Sequence, residues 1–358
     1  MPPYVLRPHD ELLRSVLNPA VPASRLVVLR GGSSTGKSRA AYEAVADRLS
    51  DWRLDYPLDS EALAVRLDAG IPAGTVLWLG ELRQYASTDA GPAVLARLAD
   101  LLDGEGNLVI STLWPEQWAT YTAALHASRG PFDPAGTVGR LLERLPQLTG
   151  QNPAEIDPAR GGVIDVPERF TSAEISAAVS VGNPVLTEAV ETAAIGGQHG
   201  QVTQYLAGVP DLLRRYAGPA DNPYGQAVIT AAMDAIRLGH STPLPAPLLL
   251  DAAVGYLTAS QRTEDMATWA GNALAWAAEE LNGAVRALLP VPPPSGTGVA
   301  GYQVADYLEQ HGRCTRQDQT SPASLWDALN AHSSSASDLT RLGGAAYPRL
   351  VSAAVVAR

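Results

Sequence analysis

The chain has 358 residues, 46% hydrophobic and 18% charged, with a formal net charge of −11. That length exceeds one ordinary core and allows two or three domains. The acidic balance, the lack of any Lys/Arg-rich run and the presence of a single lysine, Lys37, argue against duplex DNA as partner. The single cysteine, Cys314, excludes an internal disulfide, and no Cys/His spacing suits zinc.

In chain order, MPPYVLRPHDELL has no apolar core of the signal-peptide kind, and no stretch reaches about 18 apolar residues. A cytoplasmic protein with no membrane partner is therefore expected. RLVVLR (25–30) reads as a buried strand, followed by a loop and a helix from Gly36 to about Leu49. A short strand is predicted near Leu54–Leu58, then a helix capped by Ser60. TVLWL (75–79) and NLVIST (107–112) are strands separated by the amphipathic helix 92–102. Pro115 opens the next helix, and GVIDV (162–166) is a fifth strand. Strands alternating with helices predict a mostly parallel sheet covered on both faces.

After Pro167 the pattern becomes helical, with a Pro/Gly/Asn break at 218–225. PVPPPSGTG (290–298) reads as a turn or wing between short strands, and 321–358 as two helices joined by a Ser-rich turn.

The loop LRGGSSTGKSRAA (29–41) carries two motifs. Gly31-x4-Gly36-Lys37-Ser38 fits a P-loop, in which glycines let backbone N–H groups face phosphate oxygens and the next helix points its positive end at them. Lys37 would bridge the β- and γ-phosphates, and the Ser38 hydroxyl would ligate Mg²⁺. Gly32-Ser33-Ser34-Thr35-Gly36 also fits the G-x-S-x-G elbow of a serine hydrolase. That elbow follows a central strand, and too little chain precedes residue 25 to supply the earlier strands. A ligand-free Gly/Ser turn is the third reading. The strand–loop–helix context and the placement of the lone lysine favour nucleotide. The expected nucleotide-binding residues are Gly31, Gly32, Ser33, Ser34, Thr35, Gly36, Lys37, Ser38 and Arg39.

Hydrolysis needs a carboxylate at the end of a neighbouring strand. VLWLGE (76–81) has Gly80 in the first acidic place and Glu81 in the second. Glu81 is read as the water-activating base, as a Mg²⁺ contact beside Ser38, or as a solvated helix cap. Ser111 and Thr112, at the end of NLVIST, either sense the γ-phosphate or satisfy their own backbone. Trp114 and Trp118, at i, i+4, read as packing residues rather than a stacking platform. In RLGH, Gly239 and His240 read as a helix end. His9, His126, His199, His311 and His332 share no metal-ligand spacing.

The order of these pieces resembles the STAND class of P-loop ATPases, related to NB-ARC and AAA+ modules. It is most similar to actinobacterial ATP-binding proteins in which such a module precedes tetratricopeptide-type repeats. The resemblance rests on Tyr4–Glu11 as an N-terminal segment, Gly31–Ser38 as Walker A, residues 76–81 as Walker B and Thr112 at the sensor place. It rests also on VIDVPERFTSAEISAA leading into a helical lid, on Gly208-Val209-Pro210, and on GYQVADYLEQHG closing a winged helix.

It implies an α/β P-loop NTPase domain over 1–168, a helical lid over 169–220, a winged-helix-like domain over 221–315 and a helical tail over 316–358. It places Arg7 near the adenine and Pro210 against the base, makes Glu81 and Lys37 the catalytic residues, Ser38 and Glu81 the metal contacts, and ATP/ADP with Mg²⁺ the cofactors. It offers Arg214, Arg215, Arg237 and His240 as contacts to phosphate. Leu6 in place of a glycine, Pro8 and the missing first acid of Walker B depart from the family pattern.

The implied function is a slow switch ATPase that couples nucleotide to conformational change, self-association or a protein partner. A non-hydrolysing scaffold is the alternative. A small-molecule kinase and a DNA-binding regulator rank lower, and nucleic acid is not the expected partner.

Overall fold

The computed structural model of the chain describes residues 2–86, 88, 90–126, 134–195, 200–218, 222–281 and 285–356. It divides into two compact units, residues 1–206 and 207–358.

The first unit begins with α1 (Pro8–Val16) and then alternates: β1 (Arg25–Arg30), α2 (Lys37–Arg48), β2 (Arg53–Asp55), α3 (Ser60–Ala69), β3 (Thr75–Glu81), α4 (Leu82–Ala86), α5 (Gly91–Leu102), β4 (Asn107–Leu113), α6 (Pro115–His126), α7 (Pro134–Glu143) and β5 (Gly162–Asp165). The strands form one parallel sheet in the order β2-β3-β4-β1-β5. The sequence of β1 explains its central place, because all its apolar side chains find a core. Leu26 and Val28 join Leu63, Leu77, Leu79, Leu95 and Leu98 on one face. Val27 and Leu29 join Leu13, Val16, Ala41 and Ala44 on the other. A strand buried on both sides reads as a continuous apolar run.

Three details differ from the sequence reading. β2 ends at Asp55 rather than Leu58, since Pro57 has no N–H to give a ladder. Asp59, not Ser60, caps α3, accepting from the Ala62 N–H at 2.7 Å, while the Ser60 hydroxyl bonds Thr88. β3 continues past Leu79 to Glu81 through an irregularity between Trp78 and Glu81.

Three further helices, α8 (Ser172–Ser180), α9 (Pro184–Ile195) and α10 (Val202–Leu206), complete the first unit. Thr171 and Glu174 cap α8 reciprocally. Phe170, Ala178, Leu186, Ala189 and Val202 form a small core that also takes in Val5 of the N-terminal segment.

The second unit holds α11 (Val209–Ala217), α12 (Pro223–Leu238), α13 (Ala246–Ala253), α14 (Met266–Ala277), an antiparallel hairpin of β6 (Leu288–Val291) and β7 (Gly301–Val304), then α15 (Asp306–Thr315), α16 (Ala323–His332) and α17 (Ala336–Val356). The unit boundary falls inside the stretch expected to form one lid. α11 belongs to the second unit because Leu212 is buried in the core around α12. Part of the predicted 218–225 break, residues 219–221, lies outside the described residues.

α12 is apolar on nearly every face and lies at the centre. Its one acid, Asp234, is fully buried. It accepts from Arg237 Nε at 3.0 Å, Arg316 Nε at 3.0 Å, Arg316 Nη2 at 2.8 Å and the Tyr256 hydroxyl at 2.7 Å. The tail helices are part of this core through Leu325, Ala328, Leu329 and Leu342. No helix among the described residues is long and apolar enough to cross a membrane.

Candidate phosphate-binding site

The order of the sheet puts β1 between β4 and β5, while the chain leaving β1 crosses to the far edge at β2. A crevice at the carboxyl end of a strand is where open α/β sheets take ligands. The 31–38 loop starts there. The Gly31 N–H donates to Leu113 O at 3.0 Å, and the Val166 N–H donates to Arg30 O at 2.7 Å. Arg30 grips Asp165 through Nε at 2.6 Å and Nη2 at 2.9 Å, so the ends of β4 and β5 clamp the root of the loop. A Cβ on Gly31 would fall 2.6 Å from Val166 O, which explains the glycine.

Within the loop, Ser34 (φ 60°) and Gly36 (φ 97°) are left-handed and the intervening Thr35 is not. Alternating backbone handedness turns successive N–H groups inward and makes an anion-binding concavity. Ser34 is the one non-glycine residue with positive φ among the described residues, a conformation that costs a serine free energy and that clusters at functional sites.

Other side chains fix the loop. Thr35 Oγ1 donates to Gly32 O at 3.0 Å, and Lys37 Nζ donates to Gly31 O at 2.9 Å and Gly32 O at 2.6 Å. Lys37 is the first residue of α2, whose first turn holds no acid, so the positive end of the helix is not offset locally. Gly32 and Ser33 are buried, and Ser38 is exposed. Arg39 Nε donates to Glu43 Oε1 at 2.6 Å, and its guanidinium lies 5.7 Å from the Tyr4 ring centre. These groups suit polyphosphate, with inward N–H donors, one ammonium and one exposed hydroxyl at the helix start.

The elbow reading finds no support in contacts. Ser34 has no hydrogen bond to a histidine among the described residues, and two residues separate it from the start of α2.

Register brings the expected acid and sensor to the same edge of the sheet. Glu81 pairs with Thr112, and Thr112 pairs with Leu29, two residues before Gly31. Glu81 is 8% exposed, which rules out a solvated cap. Ser111 Oγ and Thr112 Oγ1 both donate to Gly80 O, at 3.0 and 3.4 Å. Trp114 is buried under Arg83, and Trp118 packs against Arg30, the packing role expected of both. Among the described residues no three of His, Cys, Asp and Glu come together as metal ligands. Mg²⁺ beside polyphosphate needs few protein ligands.

The Arg7 side chain is committed within the first unit. It is 4% exposed and donates to Glu174 Oε1 at 3.1 Å, Pro167 O at 2.8 Å and Arg169 O at 3.0 Å, with Phe170 beneath it. It ties the N-terminal segment to the entrance of α8. Burial works against the Glu174 carboxylate, but hydrogen bonds from Thr171 and Arg7 outweigh it and hold its pKa low. His9 is buried beside Asp10, and its burial lowers its pKa; Nδ1 has no partner. His199 lies outside the described residues.

Pro210 stands in the first turn of α11, in the second unit. There Arg214 pairs with Asp211, Arg215 with Glu279, and Arg237 with Asp234. Gly239, at φ 112°, ends α12 as read from RLGH, and His240 Nδ1 lies 2.6 Å from Ser241 O.

Motif reading missed the Arg30–Asp165 clamp, the commitment of Arg7, and Thr203, whose methyl lies 3.4 Å from where a Cβ on Gly36 would stand. The first two join residues over 100 apart, and nothing in the sequence marks Thr203. No family model and no curated protein matches the chain. Among solved structures it is similar to the Orc1 protein of Aeropyrum pernix in complex with DNA, at 14% identity, covering 76% of this chain and 83% of that one, TM-score 0.35. It is also similar to two single-substitution variants of RuvB from Thermotoga maritima, both at 12% identity and TM-score 0.26. For one of them the match covers 81% of this chain and 86% of that one, and for the other 84% and 90%. These likenesses have low TM-scores, and it is the chain's own strand order and loop that give it the fold of a P-loop NTPase followed by helical domains.

Proposed function

We propose that the chain is a nucleotide-dependent switch that binds ATP or ADP with Mg²⁺ in the 31–38 loop and hydrolyses ATP slowly. The observation that carries the reading is the alternation of left-handed Ser34 and Gly36 at the carboxyl end of β1, with the only lysine of the chain at the start of α2. Lys37 would leave the Gly31 and Gly32 carbonyls for the β- and γ-phosphates. Ser38 and Glu81 would hold Mg²⁺, which when bound neutralises charge on the terminal phosphates. Glu81 would alternatively orient the attacking water, and Gly80 in the first acidic place makes turnover slow.

In the STAND-like form of this reading, α8–α11 act as the lid. The hairpin β6–β7 with α12, α13 and α15 acts as a winged-helix-like module, and α16–α17 offer a surface for a protein partner or for self-association. Support for it is the hairpin followed directly by α15, as GYQVADYLEQHG led one to expect.

The test is the nucleotide carried by the protein as purified, released by denaturation and counted by chromatography. Near-stoichiometric ADP, absent in Lys37→Ala, is the expected result, and Glu81→Gln should retain ATP. ATP kept intact by the unchanged protein would favour the non-hydrolysing scaffold. Protein that arrives empty and ignores added ATP and GTP would overturn the reading.

A further inference from the structure

β2 ends the strand order of the sheet, so among the described residues its far side is an open edge. The Arg53 N–H donates to Gly74 O at 2.8 Å, which turns the Arg53 backbone toward β3. Backbone groups alternate along a strand between its two sides, so the N–H and C=O of Leu54 point out at the open edge. Unpaired groups of this kind are a template for another strand. Edges are commonly blunted by lysine or proline. Here the only lysine of the chain is Lys37, and Pro57 lies beyond the ladder. Leu54, Tyr56 and Leu58 are instead 58%, 53% and 72% exposed, and Arg53 is exposed beside them.

The charge order Arg53-Leu54-Asp55 selects the strand that fits this edge. A two-fold axis through Leu54 brings in a second copy of β2 antiparallel to the first, with Leu54 opposite itself. Arg53 then stands opposite Asp55 of the second copy, and Asp55 opposite Arg53 of the second copy. Contacts that repeat in both directions are what a two-fold interface requires. The two leucines form a hydrogen-bonded pair that exchanges both N–H···O bonds. The two charge pairs fall at the non-hydrogen-bonded places, where side chains approach more closely, and opposite charges facing across strands stabilise the pairing. An in-register parallel approach would set like charges against each other. Arg66 of α3 already lies against Asp55, with Nε 3.4 Å from Oδ1, and adds positive charge on the side where the second Arg53 arrives.

We propose that β2 pairs with β2 of a second copy of this chain, joining the two sheets into one. β3 and β4 separate β2 from β1, so the pairing leaves the 31–38 loop open in both copies. β2 has three residues, against the roughly 20–30 a side of a stable interface, so the dimer is reversible and depends on concentration. The proposal does not depend on what the loop binds.

The experiment is sedimentation equilibrium of the full chain from about 1 μM to about 1 mM, the range in which weak association shows. The unchanged protein should pass from monomer to dimer across it. Arg53→Glu and Asp55→Lys each set like charges opposite one another in both pairs, so each should weaken the dimer about tenfold. An equimolar mixture of the two variants should dimerise again, because every facing pair is then opposite in charge. Variants weakened by damage to the fold would not recover in this way. Leu54→Pro removes an N–H that faces solvent in the monomer, a place where an edge strand tolerates proline. Its melting should stay close to that of the unchanged protein while its dimer is lost. An unchanged protein that remains monomeric throughout would overturn the proposal. So would a dimer that persists in the charge variants and in Leu54→Pro, or folded charge variants that lose the dimer and do not regain it on mixing. Should Asp55→Lys fail to fold without its pair to Arg66, Arg53→Glu and Leu54→Pro decide, and an undiminished dimer in either would overturn the proposal.

Discussion

Replacing Asp234 by alanine tests the account of the second unit. The carboxylate accepts four hydrogen bonds from three residues that lie up to 82 positions away along the chain. Its side chain is wholly buried, and those of Arg237 and Arg316 are 6% and 12% exposed. Truncation would leave two nearly dry guanidinium groups without a counter-charge, and breaking a buried pair from one side costs about 3–5 kcal/mol. With a urea slope of about 2 kcal/mol/M, the unfolding midpoint of the second unit should drop by about 1.5–2.5 M. Urea titration followed by fluorescence of Trp269, Trp276 and Trp326 would read this. Burial works to raise the Asp234 pKa, but the bonds from Arg316 and Tyr256 and the charges of Arg237 and Arg316 outweigh it and hold it below its ordinary 3.8. Its contribution is thus complete above that value and disappears as pH falls through the folded-state value. The difference between variant and unchanged protein should accordingly shrink in strong acid. A midpoint shift below about 0.5 M at neutral pH would refute the claim that this network holds α12, α15 and the Tyr256 turn together.

Other outcomes follow from the site. Gly31→Ala forces a Cβ against Val166 O at 2.6 Å; overpacking of this kind costs about 1–3 kcal/mol, so thermal melting should come earlier and ATP-induced stabilisation should be lost. Gly80→Asp should be accommodated, since a Cβ there meets only the Tyr56 hydroxyl at 3.6 Å and Gln84 Oε1 at 3.8 Å; a rise in Mg²⁺-dependent phosphate release is expected, and no rise would show that a missing first acid does not limit turnover. Burial lowers the pKa of His9 below its ordinary 6.5, so the unfolded chain takes up a proton first and stability, full above that pH, declines as the solution is acidified below it. His311 acts in the same direction in the second unit; His9→Asn should flatten the decline in the melting of the first unit alone.

The sequence by itself determined the phosphate loop, its strand and helix, the alternation of the α/β unit, the change to helices after Pro167, the hairpin around 290–298 and the helix end at Gly239. All of these are local: a run of apolar residues, a glycine where the backbone must turn, a proline at a helix start. The edge strand was overread because Leu54, Tyr56 and Leu58 alternate like a strand, while Pro57 stops the ladder. Only the tertiary structure decided that β1 lies between β4 and β5, which sets Thr112 opposite Leu29 and Glu81 opposite Thr112 at the end of the sheet where the loop begins. Strand order is set by which faces bury together, not by neighbours in sequence. Only the fold could reveal that Arg7 is spent on Glu174 and two carbonyls, and that Asp234 gathers two arginines and a tyrosine. Such contacts join residues up to 167 positions apart, and no local pattern records them because each depends on the packing of elements that fold independently of that spacing.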